Sequence, residues 1–182
     1  MQQVWLGIGS NRDREHNIRA GIFALHNSFA SAEHPMLISR VFESDAVGFS
    51  GSRFYNLVAR VETTLSVAEV SAVCKRIERK HGHSADAARF SPRTLDIDLL
   101  LYGDTVCSTP VELPRGEILA NAFVLWPLAE LSPQVKHPVS GQTFAEHWRN
   151  YRGQQALEPV EFTVENLPYL KICSFSTGNA PL

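Results

Sequence analysis

Arg93-Thr94-Leu95-Asp96-Ile97-Asp98-Leu99-Leu100-Leu101-Tyr102 decides the fold, because it reads as a strand from Leu95 to Tyr102 that alternates apolar and acidic residues at its start. Successive side chains of a strand point to opposite faces. Leu95, Ile97, Leu99 and Leu101 therefore face one side and enter a core. Asp96 and Asp98 share the other side, with Cα atoms roughly 6–7 Å apart. Two neighbouring carboxylates repel each other unless a cation sits between them. Mg²⁺ suits the pair, because it takes few protein carboxylates and completes its shell with water and phosphate oxygens. Arg89 and Arg93 place cations just upstream, Arg89 within a loop-like stretch from His81 to Pro92 that has little apolar content and Arg93 directly after it. An Asp-x-Asp alone is usually a solvated sheet face. With arginines beside it, the composition is the one expected for phosphoryl transfer.

Outward from this strand the chain alternates strand-like and helix-like segments. Ser66 and Glu69 have the spacing of a capping box, which starts a helix with Val67, Val70, Val73 or Cys74, and Ile77 on its inner face. Before it, Phe54 to Thr63 alternates, with Leu57, Ala59 and Val61 on one side and Asn56, Val58, Arg60 and Glu62 on the other. Leu37 to Phe42 reads as one strand, followed by a polar loop from Glu43 to Arg53. Ile18, Ile22, Leu25 and Phe29 recur at helical spacing, and Val4 to Ile8 is a buried strand ended by Gly9-Ser10-Asn11. The order is β-α-β-β-α-β, the signature of an α+β, ferredoxin-like sandwich with an antiparallel sheet and helices on one face. A dinucleotide-binding fold is excluded, since Arg12 stands where the third glycine of that fingerprint belongs. Downstream, Glu117 to Val124 reads as a short helix leading into another strand. Residues 1–150 then form the main domain and 151–182 a C-terminal extension, either a tail or a packed addition.

The bulk numbers narrow the partners. The 182 residues fit one domain, and a hydrophobic content of 44% is enough for a core. The net charge is -2 and the pI about 6.4, so no global positive field exists to hold nucleic acid. The three cysteines are far apart and form no CxxC, which fits a reduced, cytoplasmic setting; Cys74 lies in a helical core pattern rather than a nucleophile's setting. The start, MQQVWLGIGSN, lacks the basic and long apolar regions of a secretory signal, and no apolar run is long enough to cross a bilayer.

Several motifs, taken in order, resemble the hydroxymethyldihydropterin pyrophosphokinase family. They are Gly9-Ser10-Asn11, Phe54-Tyr55-Asn56, Ile77-Glu78 with Gly82, and Pro92-Arg93-Thr94-Leu95-Asp96-Ile97-Asp98-Leu99-Leu100. Phe123-Val124-Leu125 with Pro127-Leu128, and His137-Pro138 to Gly141, complete the series. The Pro-Arg-Thr-Leu-Asp-Ile-Asp string is highly specific, and the resemblance runs from about Val4 to Arg149. It implies a folate-pathway transferase that moves a pyrophosphoryl group from ATP to the hydroxymethyl oxygen of 6-hydroxymethyl-7,8-dihydropterin and releases AMP. It further implies Asp96 and Asp98 as ligands of two Mg²⁺ ions, and Arg93 as a catalytic phosphate grip. Arg89, Arg115 and Glu78 would approach the nucleotide. Asn56 would read the pterin edge, since an amide donates and accepts at once. Phe54 and Phe123 would flank the flat ring. The partners are then small molecules only, with no nucleic acid and no membrane. The protein is expected to be a monomer, with 151–182 as the place where a dimer would form.

The departures from the family pattern fall near the expected chemistry. Gly82 is followed by His83-Ser84-Ala85-Asp86 rather than arginines, and Phe90-Ser91 replace tryptophan and glycine. Pro114-Arg115 replaces Pro-His, Asn121 replaces an arginine, and the loop after Phe42 reads Glu43-Ser44-Asp45-Ala46-Val47-Gly48 instead of a proline-rich sequence. Losing preorganised cations costs transition-state stabilisation, so the alternative is a weakly active or inactive paralogue that binds a pterin or nucleotide. A ferredoxin-like RNA-binding module is a third reading. The acidic pI and the lack of a Gly-aromatic-Gly-aromatic pattern in the third strand argue against it.

Overall fold

A computed structural model describes residues 1–46, 51–82 and 95–173. The elements are β1 (Gln2–Ser10), α1 (Arg14–Phe29), β2 (Met36–Ile38), β3 (Val41–Ser44), β4 (Phe54–Thr63), α2 (Val67–Lys80) and β5 (Asp96–Tyr102). After these come α3 (Glu117–Ala120), α4 (Ala122–Leu131), α5 (Phe144–Asn150), β6 (Leu157–Val160) and β7 (Leu170–Ile172). The strands form one sheet in the order β5-β1-β4-β2-β7, with β3 continuing the β4 edge and β6 outside it. All pairings are antiparallel except β2 with β7, so the sheet is mixed rather than wholly antiparallel. The first six elements follow the expected order, with the second strand in two pieces.

The helices cover both faces of the sheet, not one. Val4, Leu6, Ile8, Leu57, Ala59, Val61, Leu95 and Ile97 meet α1 and α2 in the larger core. Gly21 lets α1 settle onto the sheet, because a Cβ there would lie 2.9 Å from Leu95 Cδ1. The expected capping box is present: Ser66 Oγ accepts the Glu69 N–H and Glu69 accepts the Ser66 N–H. On the other face Trp5, Val58, Leu100 and Leu101 pack against Ile118, Val124, Leu125, Leu128 and Phe144. The segment expected as a strand after Glu117–Val124 is therefore the helix α4. A short apolar run does not distinguish strand from buried helix. What selects the helix is the second apolar face of the sheet, which Val124, Leu125 and Leu128 cover.

Two irregularities re-aim side chains. On β5 the register with β1 slips, since Trp5 pairs with Leu101 but Leu6 pairs with Leu99. Leu100 is the extra residue of this bulge. Strict alternation would send Leu101 to the larger core with Leu99, whereas Leu101 lies in the second core and the alternation restarts one residue later. The expected strand Leu37–Phe42 is likewise split, between β2 and β3. Ile38 pairs with Ala59 but Phe42 pairs with Asn56, which leaves one extra residue on the β2–β3 side. Ser39 makes the break tolerable, because its hydroxyl accepts the Val58 N–H at 3.0 Å. Without this insertion Phe42 would share a face with Ile38. With it, Phe42 shares a face with Asn56.

Candidate active site

Four residues stand in one row across the second face of the sheet. Phe42 on β3 pairs with Asn56 on β4, Asn56 with Gly9 on β1, and Gly9 with Asp96 on β5. Asp98 stands one step along, opposite Gly7. Strands lie about 4.8 Å apart, so Asp96 and Asn56 are separated by roughly 10 Å with only glycine between them. A larger residue at Gly9 would fill this trough: a Cβ there would sit 3.1 Å from Asn56 Oδ1 and 3.9 Å from Phe54 Cδ1. The helices α3 to α5 cover the part of this face nearer Trp5 and Leu101.

At the acid end, Asp96 and Asp98 are both half-buried and project from the same face. Arg115 Nη2 donates to Asp98 Oδ1 at 3.0 Å, and Glu117 Oε1 lies 3.7 Å from the same nitrogen. The outer edge of β5 is clasped twice. The buried Glu78 accepts the Ile97 N–H at 2.7 Å through Oε1, and Arg115 N–H donates to the Leu100 carbonyl at 3.0 Å. Glu78 Oε2 accepts from Lys75 Nζ at 3.0 Å. Burial works against the charge on Lys75, but the hydrogen bond and charge of Glu78, with the fields of Asp98 and Asp96, raise its pKa above the ordinary value. Both Glu78 oxygens are thus engaged with α2 and β5. The carboxylate braces the strand between the two aspartates instead of projecting into the trough where a nucleotide was expected to meet it. Cys74, next to this brace, has its thiol pushed up to about 12, first by burial and then by the Glu78 charge, which rules it out as a nucleophile at neutral pH.

At the other end Asn56 is buried, and its Nδ2 donates to Ser44 Oγ at 2.8 Å. This bond fixes the amide so that Oδ1 leans over Gly9 and the trough. Phe54 opens β4 on the same side. Phe123 lies in the first turn of α4 and Trp126 one turn on, so the two share a helix face. Trp126 packs on Phe42 with ring centroids 5.0 Å apart and stacks on Trp148, also at 5.0 Å. Gln155 of the extension holds the start of α4, accepting the Ala122 N–H and donating to Asn121 Oδ1 at 2.9 Å. Ser44, Trp126 and Gln155 carried no site signal in the sequence, and only the Ser44 position, two residues beyond Phe42, had drawn attention as part of an altered loop. Arg89 and Arg93, and with them His83, lie outside the described residues.

Two carboxylates on one strand fit a hard divalent cation, since Mg²⁺ draws most of its ligands from water and phosphate. Among the described residues no group of three or more His, Cys, Asp or Glu could hold a metal alone. No described helix is long and apolar enough to cross a membrane.

The fold is that of an α+β, ferredoxin-like enzyme domain, with an acid pair and a buried amide on one sheet face and a glycine between them. The pattern of the 7,8-dihydro-6-hydroxymethylpterin-pyrophosphokinase (HPPK) family matches residues 5–133. The 2-amino-4-hydroxy-6-hydroxymethyldihydropteridine pyrophosphokinase of Aquifex aeolicus is 33% identical over 162 residues, covering 87% of this chain and 96% of its own. That of Pseudomonas aeruginosa is 33% identical over 141 residues, covering 76% and 85%. The wild-type HPPK-DHPS of Plasmodium falciparum, solved with pteroate, superposes with a TM-score of 0.64 at 14% identity over 82% of this chain. This chain spans 42% of that longer protein, and the likeness concerns the fold alone. The chain belongs to the HPPK family, and it is a pyrophosphokinase, a transferase of folate synthesis.

Proposed function

We propose that this chain transfers the pyrophosphoryl group of Mg²⁺-ATP to the hydroxymethyl oxygen of 6-hydroxymethyl-7,8-dihydropterin. The oxygen attacks the β-phosphorus, the bond from that phosphorus to the α,β-bridging oxygen breaks, AMP leaves, and the hydroxyl proton is lost to solvent. The single observation that supports the assignment of substrates to places is the row Asp96–Gly9–Asn56. It sets a cation-seeking carboxylate and an amide on one face, about 10 Å apart. Asp96 and Asp98 would hold Mg²⁺, two ions in the fullest form, and the metal would offset charge building on the transferring phosphoryl group. Arg93 and Arg89 would grip the phosphates, with Arg115 beside Asp98 as a further phosphate contact. Asn56, held by Ser44, presents its Oδ1 as acceptor to the donor edge of the pterin. Phe54 and Phe123 would flank the ring. Glu78 is reassigned from the nucleotide to the positioning of β5. The enzyme acts in the cytoplasm as a monomer.

The altered loops do not favour an inactive paralogue, because both aspartates and Asn56 remain and the relatives at 33% identity carry the enzyme's name. Incubation with ATP, Mg²⁺ and the hydroxymethyl pterin should release AMP. Asp96→Ala and Asp98→Ala should each lower that release about 10³-fold or more, equivalent to roughly 4 kcal/mol of transition-state stabilisation. AMP release untouched by both substitutions would remove the acid pair from the mechanism.

A further inference from the structure

Arg115 already occupies one of the two carboxylates assigned to the metal, and the surroundings of that pair suggest a purpose. We propose that Arg115 makes divalent-cation binding conditional on nucleotide: its guanidinium holds Asp98 until a polyphosphate arrives, then transfers to the phosphate. The inference rests on the assignment of Asp98 to the metal.

The contact is built to exchange. Arg115 Nη2 lies 3.0 Å from Asp98 Oδ1, with the two side chains 30% and 27% exposed, so water can replace either partner. The root of Arg115 is fixed. Its N–H donates to the Leu100 carbonyl on the same strand, and its own carbonyl accepts the Ile118 N–H. Only the side chain is left to move, and Glu117 Oε1 at 3.7 Å offers the guanidinium a second seat. The backbone that carries Asp98 is fixed as well, because β5 is clasped on either side of it at Ile97 and Leu100.

The charges give the coupling its sign. A bare divalent cation approaching Asp98 must displace a positive group and then remain close to it, which weakens binding. Lys75 on α2 adds to this, since its ammonium already lies in the field of both aspartates. A triphosphate reverses the balance, because its several negative charges attract the metal and the guanidinium together. One side chain therefore opposes the metal alone and favours the metal with nucleotide.

The experiment measures Mn²⁺ binding by electron paramagnetic resonance, with and without α,β-methylene-ATP, and analogue binding by calorimetry. The full-length wild type is compared with Arg115→Gln. Removing the guanidinium should tighten Mn²⁺ alone by about 3–10-fold and weaken the Mn²⁺-analogue complex by about 10-fold or more, on the scale of one neighbouring charge. Arg115→Lys, which keeps the charge, should leave Mn²⁺ alone near the wild-type affinity. Mn²⁺ affinity that is unchanged or weaker in Arg115→Gln, with circular dichroism showing an intact fold, overturns the proposal. Asp98→Asn separates the two ideas. If it too leaves Mn²⁺ binding unchanged, the metal assignment has failed, and the conditional role of Arg115 falls with it.

Discussion

Asp98 and Asn56 lie on the same sheet face on either side of β1, yet they are held in opposite ways. Around Asp98 the partners are charged, half-exposed and exchangeable: Arg115, Lys75 at one remove, and Glu117. Around Asn56 they are buried and neutral: a serine hydroxyl, the Phe42 ring and the Trp126–Trp148 stack beyond it. Under the proposed function the difference matches what each end would meet. A metal polyphosphate arrives with its own water and charge, so a wet, rearrangeable acid end costs little in binding. A flat heterocycle is read by hydrogen-bond direction, and direction survives only where the reading group is locked by packing and by a second bond. Stability should therefore depend on the amide end, and charge-dependent binding on the acid end.

The largest effect that would sharpen this contrast is on folding. Phe42 is fully buried between the sheet and Trp126, so Phe42→Ala should cost about 3–4 kcal/mol in urea denaturation. Glu117→Ala at the acid end removes a carboxylate that is 49% exposed and 3.7 Å from Arg115, and should cost no more than about 1 kcal/mol. Equal losses would erase the distinction. Next in size, Asn56→Ala should raise the Kd for hydroxymethyldihydropterin about 10–100-fold, the loss of one or two directed hydrogen bonds, with little change for Mg²⁺-ATP. Ser44→Ala should have a smaller effect of the same kind, about 3–10-fold, because it frees the amide without removing it. Ser44→Thr should restore the affinity. Weakening of nucleotide and pterin by equal factors in Ser44→Ala would show that the two ends are not independent.

The smallest effect is a pH dependence of the scaffold behind the aromatic end. His137 packs edge-on to Phe144, and its Nδ1 accepts the N–H groups of Val139 and Ser140 at 3.3 Å. Burial, followed by the neighbouring His147 charge, holds its pKa below the ordinary 6.5. The unfolded chain therefore takes up this proton before the native one does as pH falls, and stability declines from about pH 6.5 downward. Urea midpoints at pH 7.5 and 5.5 should differ more for the wild type than for His137→Asn, whose amide oxygen can still accept from the turn but does not titrate.

The acid end was legible in the sequence and the amide end only in part, for a reason that individual residues make plain. Asp96 and Asp98 are two apart on one strand, so their shared face follows from local geometry before any tertiary contact is known. The capping box of Ser66 and Glu69 and the inner face of α2 are local in the same sense. Asn56 could be named from its motif, but not its partner Ser44, twelve residues away on another strand. Phe42 is the clearest case. Alternation along Leu37–Phe42 puts it with the larger core, and one extra residue at the β2–β3 break turns it to the other face. Leu101 was misplaced by the same kind of event on β5. Glu78 looked like a group approaching nucleotide, and only packing showed its carboxylate closing the edge of β5.

The sequence alone thus determined the order of elements from β1 to β5, apart from the split of the second strand, and the shared face and charge of the acid pair. These are consequences of side-chain period and charge over a few residues. The tertiary structure decided that helices cover both faces, that two bulges re-aim Phe42 and Leu101, and that Glu78 and Arg115 both clasp the outer edge of β5. Those outcomes depend on which distant surfaces have apolar area left to bury and which backbone groups still need a partner, and neither is recorded in any short stretch of chain.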